Sequence, residues 1–260
     1  MYPYIHILGK AIGTYPIASM VGFLLSALLV NHYCKKKNIA FEDVMLMLVS
    51  VVTGIVFGGH VLYGITNLDY IISAFANFKD LKTLTTQLSN AFSGMVFYGG
   101  FIGSIASVCI YTHFSKAIDR PFAYDLLALA TPLFHTFGRI GCFLGGCCYG
   151  VECDWGITVH NNPVLPELNG VPRFPVQLVE AGCNLMIFAL LFWLFRRKQH
   201  RLPLLITYIF LYAPVRFMLE FLRGDAIRGF LFGLSTSQWI SLLLLSAAAI
   251  YTLLRRPRKA

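Results

Sequence analysis

Arg139, Arg216 and Arg223 are guanidinium groups set in or beside apolar sequence, and Glu180, Glu220 and Asp225 are carboxylates that accompany them. A planar guanidinium grips a phosphate through two parallel N–H donors. These residue types could hold a phosphate group. Arg216 and Glu220 are four apart, so one helix face carries both. Arg139 lies in the run His135-Thr-Phe-Gly-Arg139-Ile-Gly-Cys142-Phe-Leu-Gly-Gly-Cys147-Cys148-Tyr-Gly150. Its glycines let a backbone turn sharply and approach a ligand closely, so a loop around the arginine is expected from residue 138 onward. For any one of these residues the alternative is a structural ion pair between helix ends.

Apolar runs define the elements that must hold these groups. Of the 260 residues, 57% are hydrophobic and 13% charged, with a mean hydropathy of +0.67. A soluble domain carries about twice that share of charge, so a disordered chain, a fibre and a soluble nucleic-acid binder are excluded. The stretches 14–33, 44–63, 91–114 and 230–254 contain no Asp, Glu, Lys or Arg. Each is long enough to cross a hydrocarbon layer, which takes ~20 residues. The run 176–195 adds only Glu180, and 203–219 only Arg216. A seventh run, 122–137, is shorter and carries Asp125 and His135. The expected fold is an all-α membrane protein, a polytopic bundle of about seven transmembrane helices in a single domain over 1–260.

Lys and Arg mark cytoplasmic loops. With the N-terminus outside and the spans alternating, the inner loops hold Lys35, Lys36 and Lys37; Lys116 and Arg120; Arg196, Arg197, Lys198 and Arg201; and Arg255, Arg256, Arg258 and Lys259. These are thirteen of the 21 basic residues. Omitting the short fourth run would put the last two clusters outside, so seven spans with a cytoplasmic C-terminus is the consistent solution. The opening MYPYIHILGKAIG has neither a basic n-region nor a cleavage site, and no removable signal peptide is expected. A charge at membrane depth costs several kcal/mol unless paired or hydrated. The charges in the spans gather toward their outer ends, which favours one shared site. Outer loops are expected at 65–90 and 138–175, and loops of that length are uncommon unless functional.

These residues resemble a known family. The segment 138–150 is similar to the G-R-x-G-N-F-x-N-x-E-x-x-G signature of prolipoprotein diacylglyceryl transferases, with Gly138, Arg139, Gly141, Phe143 and Gly150 in register. Tyr15 and Gly22-Phe23 match in span one. Gly94-Met95-Val96-Phe97-Tyr98-Gly99-Gly100 resembles G-M-x-F-H-G-G. Arg173-Phe-Pro175-Val-Gln177-Leu-Val-Glu180 resembles R-x-P-x-Q-L-x-E. Tyr212-Ala-Pro-Val-Arg216-Phe217-Met-Leu-Glu220-Phe221-Leu-Arg223 resembles Y-x-x-x-R-F-x-x-E-x-x-R. The resemblance implies a bacterial, multi-pass inner-membrane enzyme. Such an enzyme moves diacylglycerol from phosphatidylglycerol to the thiol of the lipobox cysteine in a prolipoprotein signal peptide, releasing glycerol phosphate. It implies catalytic roles for Arg139, Arg216, Glu220 and Tyr98. Substrate contacts are implied for Arg139, Tyr15, Gly99, Gly100, Cys142, Gly150, Gln177, Glu180, Tyr212 and Arg223. No cofactor, metal or nucleic acid is implied.

The sequence departs from the family pattern at four positions. Tyr98 stands where the family has a histidine, a proposed base, and tyrosine with a pKa near ~10 is a poor base at neutral pH. In the signature, Cys142 replaces Asn, Gly145 replaces the second Asn, and Cys147 replaces Glu. His135, one helical turn before Arg139, is a substitute base to consider. Four cysteines, Cys142, Cys147, Cys148 and Cys153, fall within twelve residues. Three readings stand for them: packing or a disulfide, an altered transfer site, and a metal or thiol-redox site, although C-x4-C-C-x4-C is not a standard zinc spacing. For the whole chain, the alternatives to the transferase are a lipid-binding paralogue of altered specificity or without turnover, and a thiol or metal membrane protein.

Overall fold

The computed structural model describes residues 2–7, 9–76, 81–160, 162–198, 202–225 and 230–254. The basic cluster from Arg255 to Lys259, with Lys79, Arg201 and Arg228, lies outside the described residues. An N-terminal hairpin, β1 (Tyr4–Ile7) and β2 (Lys10–Gly13), leads into helices α1 (Thr14–Lys36), α2 (Phe41–Thr66), α3 (Leu68–Ala76), α4 (Leu81–Ala91), α5 (Phe97–Phe114) and α6 (Arg120–Gly145). Strands β3 (Glu152–Thr158) and β4 (Pro172–Arg173) pair antiparallel. Helices α7 (Val176–Arg197) and α8 (Leu204–Glu220) follow, then the hairpin β5 (Phe230–Leu231) and β6 (Leu234–Ser235), and finally α9 (Thr236–Leu254). The chain is an all-α membrane protein with small hairpins between helices. A helix occupies each of the seven expected spans. Of these, α1, α2, α6, α7 and α9 are long and apolar enough to cross a membrane, and α5 and α8 are shorter at 18 and 17 residues.

Several boundaries differ from expectation. Helix α6 runs to Gly145, eight residues past the expected end at 137, so Arg139 and Cys142 are helical rather than in a loop. The extension is possible because the Arg139 charge is matched inside the protein, as described below. Gly141 also lets α1 come close: a Cβ there would lie 3.1 Å from the Tyr15 ring and 3.2 Å from Ala18 Cβ. The expected outer loop at 65–90 holds two short helices, α3 and α4. Helix α5 starts at Phe97 instead of 91, and α9 at Thr236 instead of 230, because the β5–β6 hairpin occupies the preceding residues.

The end of α6 has an identifiable cause. Gly146 takes a left-handed φ of 80°. Its N–H donates to the Phe143 carbonyl at 3.4 Å, and the Cys147 N–H donates to the Cys142 carbonyl at 3.1 Å. This pair of bonds is a Schellman cap, which satisfies the last free carbonyls of a helix and requires a residue that tolerates positive φ. The cap turns Cys147 back over Cys142.

Two compact units divide the chain. One comprises Met1–Val30, Ala128–Arg228 and Ser237–Ala260, and the other Asn31–Leu127 and Gly229–Thr236. In the second unit α2 packs on α5 through glycines. A Cβ on Gly54 would strike the Gly103 carbonyl, and one on Gly58 the Gly99 carbonyl. This is the small-xxx-small contact expected of membrane helices. In the first unit Ser26 Oγ donates to the Ala130 carbonyl at 3.2 Å, tying α1 to α6. Large apolar side chains such as Met20 and Leu28 on α1, Leu46 and Phe57 on α2, Met186 on α7 and Leu243 on α9 are exposed. Apolar area on this scale is what a helix presents to lipid.

Candidate active site

In the first unit four helices bring buried polar groups together. Glu180, in the second turn of α7, is 1% exposed. Arg139 Nε of α6 lies 3.0 Å from Glu180 Oε2 and also donates to His135 Nε2 at 3.2 Å. His135 Nε2 stands 3.6 Å from Glu180 Oε1. The Tyr212 hydroxyl of α8 donates to Glu180 Oε1 at 2.9 Å, and the Tyr212 ring meets the His135 ring edge-on at 5.3 Å. Tyr208, one turn before it, stacks on Tyr212. Arg216 Nη2 contacts Glu220 Oε2 at 2.6 Å across one turn of α8 and donates to Ser237 Oγ of α9 at 3.2 Å. Glu180 lies in the field of Arg139, Arg216 and His135. Desolvating so many ionised groups costs several kcal/mol per ion, which only matched charges and hydrogen bonds return. Arg216 Nη1 is buried with no hydrogen-bond partner among the described residues. A guanidinium donor held this way is available to an incoming anion.

Beside the helices, a backbone frame holds the expected polar contacts. Gln177 Nε2 donates to the Cys147 carbonyl at 2.9 Å. Gly150 pairs with Arg223 in an antiparallel bridge, and the Gly224 N–H donates to the Tyr149 carbonyl at 2.9 Å. A Cβ on Gly150 would strike the Phe174 carbonyl, which explains the glycine at that position. Arg173 donates to the Gly150 carbonyl at 3.3 Å, pairs with Glu152 at 2.8 Å and stacks on the Tyr149 ring. Arg223 makes a two-point contact with Asp225, at 2.7 and 3.1 Å.

Cys147 and Cys148 follow the end of α6. Hydrogen bonds from Cys142 and Cys147 hold the Cys148 thiol below its ordinary range, and the Arg139 and Arg223 guanidiniums add to that effect. The cysteines are free thiols.

The expected residues fall in two groups. Arg139, Glu180 and Tyr212 meet directly, Arg216 and Glu220 form the adjoining pair, and Gln177, Gly150 and Arg223 form the frame. Cys142 is buried within α6. Tyr15 is half exposed at the start of α1, against Gly141 and Gly145. Tyr98, Gly99 and Gly100 belong to the second unit. Tyr98 is 1% exposed in the first turn of α5. Gly99 lies against the Gly58 carbonyl and Gly100 against Ile55 of α2. His135 enters the Glu180 cluster more directly than its sequence position alone could show; its signal was the four-residue spacing to Arg139. Ser237 had no sequence signal, since a serine opening an apolar run is common.

Comparison with known proteins identifies the family. The family model described as prolipoprotein diacylglyceryl transferase matches residues 3–254. Among relatives, the phosphatidylglycerol–prolipoprotein diacylglyceryl transferase of Clostridium tetani is 32% identical over 236 residues, covering 90% of this chain and 89% of the relative. The protein of that name from Geobacter sulfurreducens is 31% identical, covering 84% and 81%. That from Campylobacter hominis is 30% identical, covering 92% and 85%. With a match running through both compact units and the signature arginine held in a buried ionic cluster, the chain belongs to the prolipoprotein diacylglyceryl transferase family and is a transferase.

Proposed function

We propose that this chain transfers the diacylglyceryl group of phosphatidylglycerol to the thiol of a lipobox cysteine in a prolipoprotein signal peptide. It would act as one domain over 1–260 in the bacterial inner membrane, with the N-terminus outside. The thiolate sulfur attacks the diacylglyceryl carbon that bears the phosphate. The C–O bond breaks, and its electron pair leaves with glycerol phosphate. Arg139 and Arg216 stabilise the charge growing on the phosphate, which is the largest electrostatic demand of the step. Glu180 and Glu220 orient those guanidiniums and accept from the glycerol headgroup. Tyr15, Gln177, Tyr212 and Arg223 position the headgroup, with Cys142 and Gly150 lining its approach. The thiol proton passes to a basic group, for which Tyr98 and His135 are the two candidates.

The observation that carries this reading is the Arg139–Glu180–Tyr212 cluster, together with the donor left on Arg216 Nη1. The test is reconstitution of the purified protein with phosphatidylglycerol and a lipobox peptide. A thioether-linked mass gain on the peptide is expected, abolished in Arg139→Ala. Loss in Tyr98→Phe or in His135→Gln, but not in both, assigns the proton acceptor. Tyr98 in place of the family histidine favours a second reading, lipid binding without transfer. Bound phosphatidylglycerol with no mass gain, where a relative gives one, would establish that reading instead.

A further inference from the structure

The sulfurs of Cys142, Cys147 and Cys148 all lie within 4.8 Å of one another. The helix cap explains part of this, because a Schellman motif brings Cys147 against Cys142 as its usual contact. It does not explain Cys148, which adopts a left-handed φ of 55°. That conformation is uncommon for a residue with a Cβ, and here it keeps a third thiol at the cluster. The spacing Cys142, Cys147, Cys148 is unlike a zinc finger in sequence, yet the cap makes the three sulfurs converge. Cys142 is buried, while Cys147 and Cys148 are half-buried at the end of the helix. Cys153, on β3, is not part of the group.

We propose that Cys142, Cys147 and Cys148 form a three-thiolate site for a soft d10 cation, Zn2+ or Cu+. A thiophilic ion binds sulfur at ~2.3 Å, and three such bonds set the sulfurs ~4 Å apart. The site therefore needs to close by less than about 1 Å. Soft thiolate donors with no carboxylate or carbonyl oxygen among them select Cu+ and Zn2+ over hard ions. Binding sends the thiol protons to solvent. It leaves a complex of net negative charge, one unit for Zn2+ and two for Cu+. Arg139 and Arg223 lie in the field of Cys148, so their charges oppose a bare cation but stabilise the anionic trithiolate complex. The site does not depend on the transfer reaction, since its donors are this chain's own side chains.

The test uses the full-length protein, reduced and stripped of metal, in detergent micelles under argon. Cd2+ is added, and the sulfur-to-cadmium charge-transfer band is followed in the ultraviolet. Saturation near one equivalent is expected, with displacement by Zn2+ or by Cu+ delivered as its bathocuproine complex identifying the preferred ion. Cys148→Ala is the decisive variant, because its side chain plays no part in the cap bonds. It should lose at least a third of the band and the thermal stabilisation that Cd2+ gives the wild type, each measured against its own metal-free melting midpoint. Cys153→Ser should keep the full band. No band in wild-type protein whose thiols all react with a thiol reagent would overturn the site. An undiminished band in Cys148→Ala, or a band lost in Cys153→Ser, would do so as well.

Discussion

Glu180 touches three side chains, from α6 and α8, through only two oxygens. Its neutral isostere therefore changes charge, hydrogen bonding and the position of Arg139 together. Glu180→Gln leaves the Arg139 guanidinium buried without its closest counter-charge. Breaking one partner of a buried pair costs about 3–5 kcal/mol. Thioether formation in the reconstituted assay should fall by more than about 100-fold, and the melting midpoint in detergent should drop. Tyr212→Phe is the milder probe. It deletes only the hydroxyl that donates to Oε1, a loss of ~1 kcal/mol, and transfer should fall by roughly tenfold or less with the fold intact. Equal effects from the two variants, read in the same assay, would remove Glu180 from the centre of the site. Arg139, Arg216 and Glu220 were legible in the sequence because charge in apolar surroundings stands out by residue type. The Arg216–Glu220 pair was legible as well, from its four-residue spacing, but the partner of Arg139 was not. Arg139 and Glu180 are 41 positions apart in the chain, and no local spacing reports a contact made by packing α7 against α6.

Helix α6 shows the same limit at the level of the element. Arg139 and the glycines after it argued for a loop, since a charge and a run of weak helix formers ordinarily end a span. The partner that makes Arg139 tolerable inside a helix lies on α7, so the extension to Gly145 depends on tertiary structure. The seven-run pattern was legible because each run is apolar over most of its length. The short helices α3 and α4 were missed because the connections between spans were read by charge and length alone. The true end of α6 is set by Gly146 at φ 80°, which gives a paired prediction. Gly146→Ala forces a Cβ into the left-handed region, at a cost of about 1–2 kcal/mol. It should lower the melting midpoint and loosen the Cys147 carbonyl from Gln177. Gly182→Ala is the control: it lies within α7, and a Cβ there would meet nothing within 4 Å. Replacing a mid-helix glycine by alanine there should be neutral or stabilising by up to ~1 kcal/mol. Thermal unfolding of both variants in one detergent decides the matter, and a loss at Gly182 as large as at Gly146 would contradict the cap argument.

For the molecule as a whole, the sided distribution of charge bears on where the chemistry takes place. Lys35 and Lys36 end α1, and Arg196 and Arg197 end α7. Lys116 and Arg120 flank the connection from α5 to α6. Helix α6 starts from that basic connection, so its far end, with Arg139 and the Cys147–Gly150 turn, is on the opposite side. Helix α7 starts at Val176 on that side and ends at the Arg196 cluster, which puts Glu180 near its non-basic end. If basic clusters stay in the cytoplasm, the Arg139–Glu180 cluster lies toward the exported face, where the proposed transfer needs it. Reporter fusions test this without any assay of transfer. A reporter active only in the cytoplasm should work when fused after Lys37 or after Lys198. One active only after export should work when fused after Gly150 or after Asn162. Removing charge at Lys35, Lys36 and Lys37 together should weaken the bias at the first of these junctions. The reverse pattern at Gly150 would put the ionic cluster on the cytoplasmic side, and the proposed transfer to an exported cysteine could not then use it.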